Sequence, residues 1–195
     1  MLKTTYSPPI DSTAIPPGWS YNPSEWRERC PLVAGASMGL LLALYLSAYQ
    51  LRLIPSIWDP FFGSSSSEAV LNSSLAKALP IPDALLGAFA YLLDAVGGSL
   101  GDAKRWKTSP WHVLFFGVVV GPVGVTSLSL VIVQPVLIHA WCSLCLVSAA
   151  ISTLLIGPAM DEVLASLQYL QRVKQNEWSV WNAFWGDKEI SSTVI

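Results

Sequence analysis

The chain has 195 residues, of which 52% are hydrophobic and 12% charged, about half the roughly 25% charge of an ordinary soluble domain. That balance excludes a soluble globular domain and a disordered chain, and a net charge of -2 argues against a nucleic-acid binder. Three cysteines are too few for a disulfide-stapled scaffold, which leaves an all-α membrane protein of a few helices.

The first 30 residues are polar, with six prolines or glycines and no apolar signal-peptide core, so residues 1–29 are expected to form an arm. The first span is then its own insertion signal. Cys30 to Leu51 is a run of 22 residues without Asp, Glu, Lys or Arg, enough to cross a hydrocarbon core that needs about 20. The loop from 54 to 80 follows. Its Ser64–Ser67 run is expected to be flexible, and after it Val70, Leu71, Leu75 and Leu79 recur at helical spacing over Glu68–Leu79. That pattern predicts an amphipathic helix lying on the bundle as a lid.

Ala78–Gly101 is the second apolar stretch, interrupted by Asp83 and Asp94. Thr108–Met160 then runs for 53 residues without a formal charge, which suits two crossings joined by a turn near Gln134-Pro135, since proline does not continue a helix cleanly. The expected spans are about 31–53, 82–100, 111–132 and 138–159, a four-transmembrane-helix bundle over residues 30–160. Asp94 is expected to mark the cytoplasmic end of the second span. Gly35 and Gly39, and Gly117 and Gly121, have the four-residue spacing that permits close helix packing.

Orientation follows from Lys and Arg. Nine of them (Lys3, Arg27, Arg29, Lys104, Arg105, Lys107, Arg172, Lys174 and Lys188) fall on one side, and Arg52 and Lys77 on the other. The positive-inside rule then puts both termini in the cytoplasm and the 54–80 loop outside. Trp26, Trp58, Trp106, Trp111 and Trp141 fall at expected span ends, at headgroup level. In the tail, 161–195, Trp178, Trp181, Phe184 and Trp185 predict a short cytoplasmic interfacial helix. The other reading of that tail is packing against a partner.

The chemistry-bearing motif is Trp141-Cys142-Ser143-Leu144-Cys145. Cysteines three apart at a helix start share one face, and the helix N-terminus lowers thiol pKa, so the pair reads as redox-active. The alternatives are inert packing thiols or half a zinc site, for which only His139 is near and the ligand set stays incomplete. His139 is a modulator of thiol acidity or an ordinary interfacial residue. Cys30 lies a membrane thickness away and reads as a bystander thiol.

With these residues in view, the chain resembles the vitamin K epoxide reductase family in its bacterial form. The resemblance spans about 30–160 and rests on His139-Ala-Trp-Cys142-Ser-Leu-Cys145-Leu-Val-Ser148, on Ser67-Glu-Ala-Val-Leu-Asn-Ser73, and on Leu79-Pro-Ile-Pro-Asp83-Ala-Leu-Leu-Gly87-Ala-Phe-Ala-Tyr91. It implies an integral inner-membrane thiol:quinone oxidoreductase. Its Cys142–Cys145 disulfide takes electrons from a thioredoxin-like or other extracytoplasmic thiol protein and passes them to a ubiquinone- or menaquinone-type quinone inside the bundle. The resemblance makes Cys142 and Cys145 the catalytic pair, Cys145 facing the quinone and Cys142, nearer the surface, exchanging with the partner. Asp83, which aligns near an asparagine of the vertebrate branch, and Ser148 are the implied quinone contacts; Asp83 also reads as the N-cap of its helix. The chain departs from the family in lacking the loop cysteine pair, with Ser67 at the second cysteine's position. The competing reading is a non-catalytic quinone- or partner-binding membrane subunit derived from this family.

Overall fold

The computed structural model describes residues 15–74, 76–77 and 80–194, and every regular element among them is helical. The first helix, α1 (Trp26–Gln50), begins one turn before the charge-free run does. Charged residues are tolerated there because the Arg29 guanidinium donates to the carbonyls of Gly98, Leu100 and Gly101. It therefore closes the C-terminal end of a neighbouring helix, whose last carbonyls have no partner of their own.

The loop that follows α1 carries α2 (Ser64–Leu71). The serine run expected to be flexible is thus the first turn of this helix, with Ser67 fully buried. Serine is a weak helix former, and what holds it here is tertiary bonding described below. Leu75 and Leu79, expected on the same helix, lie outside the described residues, as do Lys3 and the first 14 residues of the arm.

The next helix, α3 (Asp83–Ser99), has 17 residues and spans roughly 26 Å at 1.5 Å per residue. A four-residue turn of helix, α4 (Arg105–Thr108), leads into α5 (Pro110–Val133). The reversal expected at Gln134-Pro135 is not there: the helix widens into a π-helical turn, Gln134–Ile138, and the chain reverses at His139, whose φ of 55° is left-handed. A missing N–H at Pro135 costs one hydrogen bond, and the wider turn accommodates it without ending the helix.

The last long helix, α6 (Ser143–Gln175), runs sixteen residues past the expected end near 159. Asp161 and Glu162 look like a terminus in sequence. In the fold, Glu162 is buried in an ion pair with Arg105 and accepts the Ser24 hydroxyl, and Asp161 accepts the Tyr21 hydroxyl at 2.6 Å. Paired charges do not stop the helix.

Three helical stretches, Trp26–Gln50, Pro110–Ile138 and Ser143–Gln175, are long and apolar enough to cross a membrane. Their outward faces expose Leu41, Val118, Ile132 and Leu154, as lipid-facing helices do. α1 packs along α3 and α5 along α6, with α6 also against α1. The shared core is Leu32, Ala36, Ala43, Ala88, Tyr91, Phe116, Val120, Leu155 and Ala159. Gly39 is needed for this packing, because a Cβ there would overlap the Tyr91 ring. Gly121 is not, since a Cβ there would meet open space.

A second core gathers Trp106, Ala165, Tyr169, Val173, Ala183, Ile190 and Val194. It fastens two short helices, α7 (Val180–Phe184) and α8 (Lys188–Thr193), against the extension of α6. Trp106, expected at headgroup level, is buried in this core with its ring edge-on to Tyr169. Trp181 and Trp185 remain exposed, and Trp185 lies 6.0 Å from Trp111 at the start of α5.

Candidate active site

Cys142 is the N-cap of α6, in extended conformation, and Cys145 is in its first turn. The two are joined as a disulfide, and the Cys145 N–H points at the Cys142 sulfur at 3.1 Å. A helix N-terminus presents free N–H groups, so the same contact is available to a Cys142 thiolate after reduction. Cys145 is half-buried and lines a partly open cavity. Cys142, expected nearer the surface, is fully buried at 0% exposure.

The cover over Cys142 is the loop that carries α2. Asp59, itself buried, accepts the Ser67 hydroxyl at 2.5 Å, the Ser143 hydroxyl at 2.6 Å and the Ser143 backbone N–H at 2.8 Å. It also accepts the N–H groups of Phe61 and Phe62, which shapes its own turn. Burial alone would raise the Asp59 carboxyl; the bonds from Ser143, Ser67 and the backbone outweigh it and hold it below the usual carboxylate range. Ser66 adds a second fastening, bonding both the N–H and the carbonyl of Trp141. Ser67, expected from the family resemblance at the position of a loop cysteine, thus sits over the cysteine helix.

The cavity lies beneath, between α1, α2, α3, α5 and α6. It measures about 130 Å³, and its wall is mostly apolar. An apolar cavity of about 150 Å³ takes a benzene ring, so this one matches a single six-membered ring. Asp83 and Ser148, the expected quinone contacts, both line it. Asp83 is the first residue of α3 rather than its N-cap, which is Pro82. It accepts the Gln50 side-chain amide and the Ala84 N–H. The Ser148 hydroxyl and carbonyl meet the Tyr91 hydroxyl at 3.0 and 2.6 Å, and Ser152 meets it at 2.6 Å. That knot ties α3 to α6 at the cavity wall.

Gln134, read in sequence only as part of a turn, is 3% exposed, lines the cavity, and accepts the Cys142 N–H at 3.1 Å. It is the only amide side chain in the 53-residue uncharged stretch, which is the signal that could have singled it out. His139 supplies the turn before the pair. Cys30 is exposed and 13 residues from the cavity-lining Ala43, roughly 20 Å along α1. Asp94 is buried three residues beyond Tyr91, outside the cavity wall, with one carboxyl oxygen unpartnered.

A helical membrane protein with a cysteine pair at the head of a spanning helix, one sulfur buried under a loop and the other opening on an apolar cavity, has the build for thiol–disulfide exchange with an apolar acceptor. The model of the vitamin K epoxide reductase family matches residues 30–159, two thirds of the chain, and the chain belongs to that family. Its members are in general membrane thiol–disulfide and quinone oxidoreductases. No curated protein and no solved structure matches the chain.

Proposed function

We propose that this chain is a thiol:quinone oxidoreductase that moves electrons from protein thiols through Cys142 and Cys145 to a quinone in the cavity, without a loop-cysteine relay. The observation that carries this reading is Cys145 in the cavity wall, bonded to a Cys142 that lies under the loop that carries α2. A partner dithiol reduces the pair by exchange, first forming a mixed disulfide on Cys142 and then releasing as its own disulfide. A quinone supplies the acceptor for the two electrons and two protons given up when Cys142 and Cys145 rejoin. The apolar lining suits a ubiquinone- or menaquinone-type quinone, and the volume takes one ring of it beside Cys145. Cys145 faces that ring, the α6 N-terminus favours the thiolate, and Asp83 and Ser148 flank the space with polar groups.

In the membrane arrangement we favour, α3 is a fourth crossing, both termini are cytoplasmic in a bacterial inner membrane, and α2 is an extracytoplasmic lid. Residues 30–160 then form the redox domain. The arm before them and the residues after them sit on the cytoplasmic side, with Trp181 and Trp185 in the lipid interface. The donor is a thioredoxin-like or other thiol protein meeting the lid. A second reading, a quinone- or partner-binding subunit without turnover, draws on the burial of Cys142 and the serine at position 67.

Purified protein with a dithiol and a short-chain quinone separates the two. Turnover by wild type and its loss in Cys145→Ala supports the enzyme; equal rates in both overturn it.

A further inference from the structure

Gln134 is held in a way that leaves half of its amide unused. The Cys142 backbone N–H can only donate, so the side-chain oxygen of Gln134 must face it. That fixes the orientation of the amide and turns its NH2 group, with two donors, away from Cys142. No described residue accepts from that nitrogen, and Gln134, 3% exposed as a residue, lines the cavity that Cys145 also lines. The other deeply buried polar groups of the wall, Tyr91 and Ser152, are bonded to each other. Asp83, when ionised, can only accept and has nothing to give a carbonyl oxygen. Gln134 is not among the described residues with a sealed, unpartnered polar atom, so its two donors face space that a ligand can enter. Gln134 also opens the π-helical turn, a distortion that recurs at functional sites.

We propose that Gln134 is a ligand-binding residue whose amide nitrogen donates to a carbonyl oxygen of the quinone, seating the ring beside Cys145. This rests on the quinone reading above and deepens it, since one amide then touches the backbone of one cysteine and the substrate of the other. The ligand class it selects is a ring bearing a carbonyl, over a hydrocarbon ring of the same shape.

The test compares binding of tetramethyl-1,4-benzoquinone, by quenching of tryptophan fluorescence, with that of 1,2,4,5-tetramethylbenzene, by displacement of the quinone, in full-length wild type and Gln134→Met with the disulfide intact. Wild type is expected to prefer the quinone, and Gln134→Met to lose about tenfold in quinone affinity while holding the hydrocarbon unchanged. Retained preference in Gln134→Met overturns the inference and leaves the quinone reading standing. Equal loss of both ligands also overturns it, because that marks a collapsed cavity. No preference in wild type sinks the quinone reading itself. If Gln134→Met does not fold, Gln134→Glu decides: it keeps the acceptor for Cys142 and donates only when protonated. Its quinone affinity should fall as pH rises while that of wild type stays flat, and a flat Gln134→Glu profile overturns the inference.

Discussion

The Asp59 carboxylate accepts two hydrogen bonds from Ser143, one from the hydroxyl at 2.6 Å and one from the backbone N–H at 2.8 Å. Ser143 stands between the two cysteines and opens α6. A carboxylate at a helix N-terminus is well placed electrostatically, and here it also joins the loop that carries α2 to the cysteine pair. Its other side-chain partner is the hydroxyl of Ser67, on the loop. A hydrogen-bonded clasp therefore joins the loop to the head of α6, over the buried Cys142.

Asp59→Asn should uncover Cys142. An amide offers one acceptor oxygen and a nitrogen that only donates, so it cannot receive the Ser67 hydroxyl and both Ser143 groups as the carboxylate does. Loss of one or two such bonds raises local opening about tenfold. The rate of maleimide labelling of Cys142 in dithiol-reduced protein measures this. An unchanged rate in a folded Asp59→Asn protein would show that the clasp is not what covers the cysteine.

The clasp also has a defined pH window. The folded-state carboxyl is held below its ordinary value, so its contribution to stability is complete above about pH 4 and is lost as pH falls toward the folded value. Wild type should therefore melt above Asp59→Asn at pH 7, and the gap should narrow at pH 3. A gap that is constant between these two pH values would mean the carboxylate's charge is not involved.

At the other end of the bundle, Arg105 and Glu162 form a buried ion pair, and Arg105 also donates to the Gly97 and Leu100 carbonyls. Glu162→Leu alone leaves the guanidinium charge buried without its partner, at a cost of roughly 3–5 kcal/mol. Arg105→Met together with Glu162→Leu removes both charges and should recover a large part of that loss. Thermal unfolding in detergent of the two singles and the double reads the coupling; additive effects would contradict a paired role.

Which features were legible in the sequence follows from where their causes lie. Two long charge-free stretches contain most of α1, all of α5 and the first half of α6, because lipid imposes that composition directly. The end of α6 was hidden because Glu162 is neutralised by a residue 57 positions away, a pairing that no local pattern shows. Ser64–Ser67 looked like a flexible run because its helix depends on Asp59 and Trp141, not on its own propensity. The cysteine pair was legible as a local motif, and Asp83 and Ser148 through family resemblance. Gln134 and Asp59 were not, since what sets them apart is burial and the groups they face.

Tyr91→Phe should loosen the joint between α3 and α6. It removes one hydroxyl that meets the Ser148 carbonyl and the hydroxyls of Ser148 and Ser152. The groups left behind are buried and cannot all find new partners, so a destabilisation of about 1–3 kcal/mol is expected. Ser152→Ala in the Tyr91→Phe background should then cost less than it does in wild type, because the partner is already gone. Equal costs of Ser152→Ala in both backgrounds would mean that the bond is not energetically real.

Introducing a thiol at position 67 tests how near the loop lies to the cysteine pair. The Ser67 hydroxyl and the Ser143 hydroxyl meet on one carboxylate, and Ser66 bonds the backbone of Trp141, so the loop position lies directly over residues 141–143. In a Ser67→Cys, Cys145→Ser protein, Cys142 has lost its native partner, and the nearest thiol is the introduced one. Mild oxidation should link it to Cys142, and a peptide pair joined through those two positions should appear by mass spectrometry. The same oxidation of Cys145→Ser alone should leave Cys142 free, with Cys30 at the opposite end of α1 out of range. If the link forms, then Ser67→Cys with both native cysteines present should accept electrons from a dithiol through the loop. Failure to link, in a protein whose Cys142 still reacts with a small alkylating reagent, would place the loop too far from the pair for direct exchange.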